Sequence, residues 1–157
     1  MVFPDDGTTA PASHARTIVV GIDGSPSSHE ALAVAQTLAS PLGASLVLLH
    51  AYDPHIPFAA ITTEGMRTEL RRHGRKVLDA ARATLTAPAD NVEEALVEGH
   101  ARDELLAACE RRAPALLAVG SRGLGGFKEL LLGSTSHWAA NHAPCPVLIA
   151  RTPPLAG

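Results

Sequence analysis

The hydrophobic residues of this chain form short apolar runs, separated by longer stretches in which apolar residues recur at helical spacing. The runs are mostly continuous rather than alternating, which is typical of parallel strands that are covered on both faces. The run that starts at Asn91 alternates polar and apolar residues, so we expect it at a sheet edge. The predicted strands are Thr17–Ile22, Ser45–Tyr52, Asn91–Gly99, Ala115–Gly120 and Pro146–Arg151.

Helices are predicted between these strands. The first begins either at Ser25, with Pro26 in its first turn, or at Ser27, with Glu30 completing a capping box. The others are predicted at Thr62–Leu85, His100–Arg112 and Ser134–His142. In the second, apolar positions share one face and four arginines share another. We interpret the arginine face as solvated, with nucleic-acid binding as the alternative; its members are Arg67, Arg71, Arg75 and Arg82.

This alternation of strands and helices predicts an open α/β sheet of five parallel strands with right-handed crossovers and helices on both faces. One domain is expected over residues 16–151, between flexible tails at 1–15 and 152–157. The N-terminal segment carries two aspartates, no basic residue and no apolar core of the kind that signal peptides need. We therefore expect a cytoplasmic protein.

Composition narrows the function classes. Of the 157 residues, 46% are hydrophobic and 18% charged, which is ordinary for a folded domain. No apolar stretch approaches the ~20 residues of a membrane-spanning helix. A net charge of −3 and an aromatic content of 3% argue against nucleic-acid or membrane binding. The two cysteines form no CxxC pair, so we interpret them as ordinary buried thiols.

The stretch from Gly120 to Ser136, between the fourth strand and the last helix, carries the candidate chemistry. Glycines let a backbone approach an anion closely, and the free N–H groups at a helix start attract phosphate. Arg122 adds a positive charge. The loop does not match the Walker A pattern, because after Gly120 and Gly125 that pattern needs lysine and then serine or threonine, where this chain has Gly126 and Phe127. The alternative is a plain surface loop in which Ser134 caps the helix.

The spacing of Gly120, Gly123, Gly133 and Ser134 fits G-x2-G-x9-G-[ST] and resembles the ATP-binding motif of the universal stress protein family. The resemblance extends over roughly residues 16–151. It departs from the family at Pro114, where members often carry an aspartate, and the segment Asp53–Ile61 is not diagnostic. Three further stretches resemble family blocks: VVGIDGS (Val19–Ser25), VEGHARDELL (Val97–Leu106) and LLGSTSHWAANHAPCPVLIAR (Leu131–Arg151).

The resemblance implies strand order 3-2-1-4-5 and a ligand cleft between the first and fourth strands. It implies that Gly21 and Asp23 lie beside ribose and adenine and that the loop Gly120–Gly126 wraps ribose and phosphates. Ser134 and Thr135, at the start of the last helix, would cap the phosphates. ATP would be bound with Mg²⁺ held through its phosphates, and a homodimer would form through Pro146–Arg151. The implied nucleotide-binding residues are Gly21, Asp23, Gly120, Ser121, Arg122, Gly123, Leu124, Gly125, Gly126, Gly133, Ser134 and Thr135.

The function expected from this resemblance is that of a non-catalytic, ATP-dependent regulatory protein in a stress response, acting on an unknown protein partner. A slow ATPase or self-phosphorylating enzyme is one alternative, and a ligand-free dimeric module is another. We find no positioned general base, so no catalytic residue is predicted. No metal site formed by protein side chains is predicted either.

Overall fold

The computed structural model describes residues 16–55, 64–87, 91–124 and 132–153. The predicted tails at 1–15 and 152–157 fall almost entirely outside these ranges, and the domain bounds stay a prediction. The described elements, in chain order, are β1 (Arg16–Gly21), α1 (Pro26–Leu42), β2 (Ala44–Tyr52), α2 (Glu64–Ala83), β3 (Val92–Glu98), α3 (Ala101–Arg112), β4 (Leu116–Gly120), α4 (Ser134–His142) and β5 (Val147–Ala150).

The strands form one parallel sheet in the order β3-β2-β1-β4-β5. This confirms the predicted fold class and strand order, and the alternating strand β3 lies at an edge as expected. Each predicted element is present, and most bounds shift by one or two residues. The sequence offered two starts for α1; the structure has Ser25 as the N-cap, with its hydroxyl accepting from the Ser28 amide.

The two sheet faces bury separate hydrophobic clusters. On one face, Ile18 and Leu48 pack with Leu32 of α1 and Leu78 of α2. The other face buries a second set of side chains under α3 and α4, namely Val19, Val47, Leu49, Leu105, Cys109 and Ala139. Alternate residues of one strand therefore pack into different hydrophobic clusters, which explains why the central strands are continuous apolar runs.

Three of the four arginines on this face of α2 contact acidic residues of β3, whereas Arg71 is exposed, so the arginine face is solvated only in part. Arg67 Nε lies 3.2 Å from Glu98 Oε2, and Arg82 Nε lies 3.8 Å from Glu94 Oε1. Arg75 also pairs with Glu94. Glu94 and Glu98 of β3 thus have partners on α2, and Glu93 pairs with Arg112 of α3.

No helix in the part of the chain that the structure describes is both long and apolar enough to cross a membrane.

Candidate functional site

A cleft opens at the carboxyl ends of β1 and β4, between neighbouring strands that are not consecutive in the chain. Open α/β sheets bind their ligands at this topological switch point. The cleft has a volume of about 140 Å³. It is lined by Gly21, Ile22, Asp23, Ser28, Leu49, Ala51, Ala101, Leu105, Val119, Gly120, Arg122, Gly123, Gly133, Ser134, Thr135 and Ser136.

Asp23 lies two residues after the end of β1, and its two carboxylate oxygens have different surroundings. Oδ1 accepts a hydrogen bond of 2.9 Å from the Ser25 amide and a second bond from the Ser25 hydroxyl. This turn fixes the carboxylate, because both donors come from the residue that caps α1. Oδ2 faces Gly123, and a Cβ added at Gly123 would lie 3.0 Å from it. A fixed acceptor oxygen therefore faces the glycine loop across the cleft.

The beginning of the glycine loop is anchored to the first turn of α1. The Arg122 carbonyl accepts a hydrogen bond of 2.6 Å from the Ser27 hydroxyl, and the Ser25 hydroxyl oxygen lies 3.1 Å from the same carbonyl. Both serines are buried, so their hydroxyls contact protein atoms rather than solvent. One serine pair thus positions Asp23 on one side of the cleft and Arg122 on the other.

The far end of the loop returns to β4. The Gly133 amide donates to the Ser121 carbonyl at 2.6 Å, and the buried Ser136 hydroxyl contacts the same carbonyl at 3.0 Å. Gly133 is the N-cap of α4, and no side chain in the described part of the chain caps this helix. The alternative in which Ser134 caps the helix is therefore wrong. The positive end of a helix without a side-chain cap lies in the cleft wall.

Burial lowers the pKa of His50, which lies on β2 beneath α2. Its Nδ1–H donates to the Ile22 carbonyl at 2.7 Å, just before Asp23. The hydrogen bond partly opposes the effect of burial, and His73 on α2 lowers the pKa further. His50 thus supports the strand end as a neutral imidazole.

The structure brings most of the predicted site residues together. Eight of them line the cleft, namely Gly21, Asp23, Gly120, Arg122, Gly123, Gly133, Ser134 and Thr135. Ser121 is buried and its carbonyl accepts from the Gly133 amide, whereas Leu124 is 71% exposed and does not line the cleft. The predicted residues Gly125 and Gly126 lie outside the described residues.

Sequence reasoning missed the apolar floor of the cleft. Ile22 and Val119 each directly precede a predicted site residue, so proximity in sequence could have found them. Leu105 reaches the cleft from α3, and no local signal marks it as a site residue. Ser28, in the first turn of α1, also lines the cleft.

Fold and cleft define an open α/β protein with a candidate ligand site at the switch point of its sheet. The model of the universal stress protein family matches residues 14–151, and the chain belongs to this family. The resemblance inferred from the glycine spacing is confirmed.

Relatives of known sequence or structure cover most of the chain. The universal stress protein YxiE of Bacillus subtilis is 32% identical over 144 residues, covering 85% of this chain and 97% of that protein. A universal stress protein of Thermus aquaticus is 34% identical over 138 residues, covering 87% and 98%. A solved universal stress protein in complex with cAMP is 30% identical, with a TM-score of 0.59 and coverage of 88% and 98%.

Proposed function

We propose that this protein binds an adenine nucleotide in the cleft and acts as a non-catalytic, nucleotide-dependent regulatory protein. One observation carries the proposal: the fixed oxygen of Asp23, the side-chain-free Gly123 and the uncapped start of α4 share one cleft. A relative that is 30% identical and solved with cAMP supports the same ligand class.

Different parts of the cleft lining suit the ribose, the base and the phosphates of a nucleotide. Asp23 Oδ2 is a free acceptor for ribose hydroxyls, and the apolar floor formed with Leu105 and Val119 suits the faces of a base. Phosphates belong near Arg122 and the start of α4, where positive charge and backbone donors meet. The opposite signs of Asp23 and Arg122 thus orient the ligand.

The size of the cleft limits how much of the ligand is enclosed. Its volume of about 140 Å³ is below the ~300–1,000 Å³ of sites that bury a whole small molecule. The cleft accommodates the nucleoside end, and the phosphates extend along the glycine loop. ATP is the proposed ligand, with Mg²⁺ entering through its phosphates.

A homodimer through β5 belongs to the same proposal. The Leu117 amide donates to the Pro146 carbonyl, and the Ser121 amide donates to the Ala150 carbonyl. In a parallel ladder this register turns the backbone groups of Val147 and Ile149 away from β4, toward the free edge of the sheet. These groups are available to a second copy of the strand.

Titration calorimetry on variants of Gly123 tests the binding site. Gly123→Asp puts a second carboxylate beside Asp23 and in the path of the phosphates, so we expect loss of ATP binding with the fold retained. Ala33→Asp adds the same charge on the exposed face of α1 and is expected to bind like the wild type. Unchanged ATP affinity in Gly123→Asp would refute the proposed site.

Two further measurements separate the proposed function from its alternatives. Titrations with ADP, AMP and cAMP rank the phosphate groups that the site accepts. ATP incubated with stoichiometric protein and Mg²⁺ should stay intact for an hour, whereas turnover near the ~1–100 s⁻¹ of kinases would make the protein an enzyme. If none of these nucleotides binds, the ligand-free dimeric module becomes the better description.

A further inference from the structure

Two cysteines that are far apart in sequence meet on the α3 side of the sheet. Cys109 Sγ of α3 lies 3.8 Å from Cys145 Sγ, which precedes β5. Both side chains belong to the same hydrophobic cluster. A disulfide needs ~2.05 Å between the sulfurs, so an approach of under about 2 Å would join them.

The two thiols differ in exposure. Cys109 is only 2% exposed, and burial, followed by the nearby Cys145, raises its pKa to about 12. Cys145 is half-buried, so an oxidant can reach it first. Pro144 and Pro146 restrict the backbone on both sides of Cys145, which keeps its sulfur beside α3.

We propose that Cys109 and Cys145 form a reversible dithiol–disulfide site whose oxidant is a hydroperoxide. In the first step the Cys145 thiol gives up its proton, its sulfur attacks the terminal peroxide oxygen and the O–O bond breaks. Cys145 becomes a sulfenic acid, and the other peroxide oxygen leaves as hydroxide or alkoxide and takes up a proton to form water or an alcohol. In the second step the Cys109 sulfur attacks the Cys145 sulfur, the S–O bond breaks, and the leaving hydroxide takes the Cys109 proton as water. Two electrons pass from the cysteines to one peroxide.

The disulfide would connect α3 to the segment that leads into β5. Leu105, one helical turn before Cys109, lines the cleft, and β5 carries the free edge of the sheet. The cross-link closes the long chain segment between residues 109 and 145, which restricts the unfolded chain. Oxidation therefore stabilises the fold by an amount that thermal unfolding can measure.

Mass spectrometry of the full chain after hydrogen peroxide treatment, with trapping of free thiols, tests the site. We expect the mass of a single chain that has lost two hydrogen atoms, carries no free thiol and regains both thiols in dithiothreitol. Its unfolding midpoint should rise by roughly 5–10 °C over that of the reduced protein. Cys109→Ala and Cys145→Ala, which each keep one thiol, should lose both the mass change and the thermal shift.

Other products contradict the proposal. Two thiols that remain free, a sulfinic acid on Cys145, or a disulfide between two chains would each show that the pair does not close within one molecule. A lower unfolding midpoint in the oxidised protein would show that the fold must distort to form the bond. Because the peroxide experiment contains no nucleotide, its result is independent of ATP binding.

Discussion

Replacing Gly120 by alanine should destabilise the nucleotide-free protein strongly. A Cβ at this position would lie 2.4 Å from Ser27 Oγ, 2.6 Å from the Ser28 nitrogen and 2.7 Å from the Ser27 carbonyl carbon. Favourable contacts need ~3.5–4.0 Å, so the first turn of α1 has to move by about 1 Å. Two of the three atoms are backbone, and no side-chain rotation removes the clash.

The expected loss can be worked out from these contacts. Overpacking of this kind costs about 1–3 kcal/mol, and the Ser27 bond to the Arg122 carbonyl contributes ~1 kcal/mol more if it breaks. The free energy of unfolding should therefore fall by about 2–4 kcal/mol. For a domain of this size the unfolding midpoint would drop by roughly 5–15 °C.

Gly21→Ala is the matched control at the end of the neighbouring strand. Its added Cβ would meet only side-chain atoms, at 3.3 Å from Val119 Cγ1 and 3.5 Å from the Leu105 methyls. We expect it to lose less than about 1 kcal/mol. Urea and thermal unfolding of both variants provide the comparison. Equal stability of the two variants would refute the argument that α1 requires glycine at position 120.

Three further outcomes are expected. The lowered pKa of His50 means that the unfolded chain binds more protons below about pH 6.5, so stability should fall with pH from there down to the folded-state pKa; His50→Asn keeps a donor for Ile22 and should remove this component in urea titrations at about pH 5.5 and 7.5. Ser134→Ala should weaken ATP binding roughly tenfold to a hundredfold in calorimetry, because one bond to a charged group contributes about 1.5–3 kcal/mol; an unchanged affinity would mean that its hydroxyl does not contact the phosphates. Sedimentation of Val147→Pro should give monomers where the wild type dimerises, and a monomeric wild type at tens of micromolar would exclude the β5 dimer.

Most of the fold could be predicted because each strand carries its own signal. The β-branched run of β1 and the turn at Asp23 mark a strand end locally, and buried parallel strands leave continuous apolar runs. The ion pairs that the arginines of α2 make with β3 could not be predicted, because no local signal marks them. Glu94, the partner of Arg75 and Arg82, lies on a different element, and local periodicity contains no information about which elements become neighbours.

Site residues that belong to a local sequence pattern could be predicted, whereas contacts between distant parts of the chain could not. Asp23 and Gly123 could be named from a turn and a glycine spacing. That Asp23 Oδ2 would face Gly123 across the cleft depends on the pairing of β1 with β4. The contact between Cys109 and Cys145 is equally non-local, so a chain with no CxxC pair still brings two thiols together.

The glycines of the loop pattern are required for different structural reasons, so they do not indicate nucleotide binding equally well. Gly120 is required by the close approach of α1, a demand of folding that exists without any ligand. Among the described residues, a Cβ at Gly123 would meet only Asp23 Oδ2, at 3.0 Å, so this glycine is required by the carboxylate that lines the cleft rather than by the packing of a helix. A chain can therefore retain the first glycine for its fold alone. The second glycine, together with the acidic residue after β1, is the better indicator of a nucleotide site.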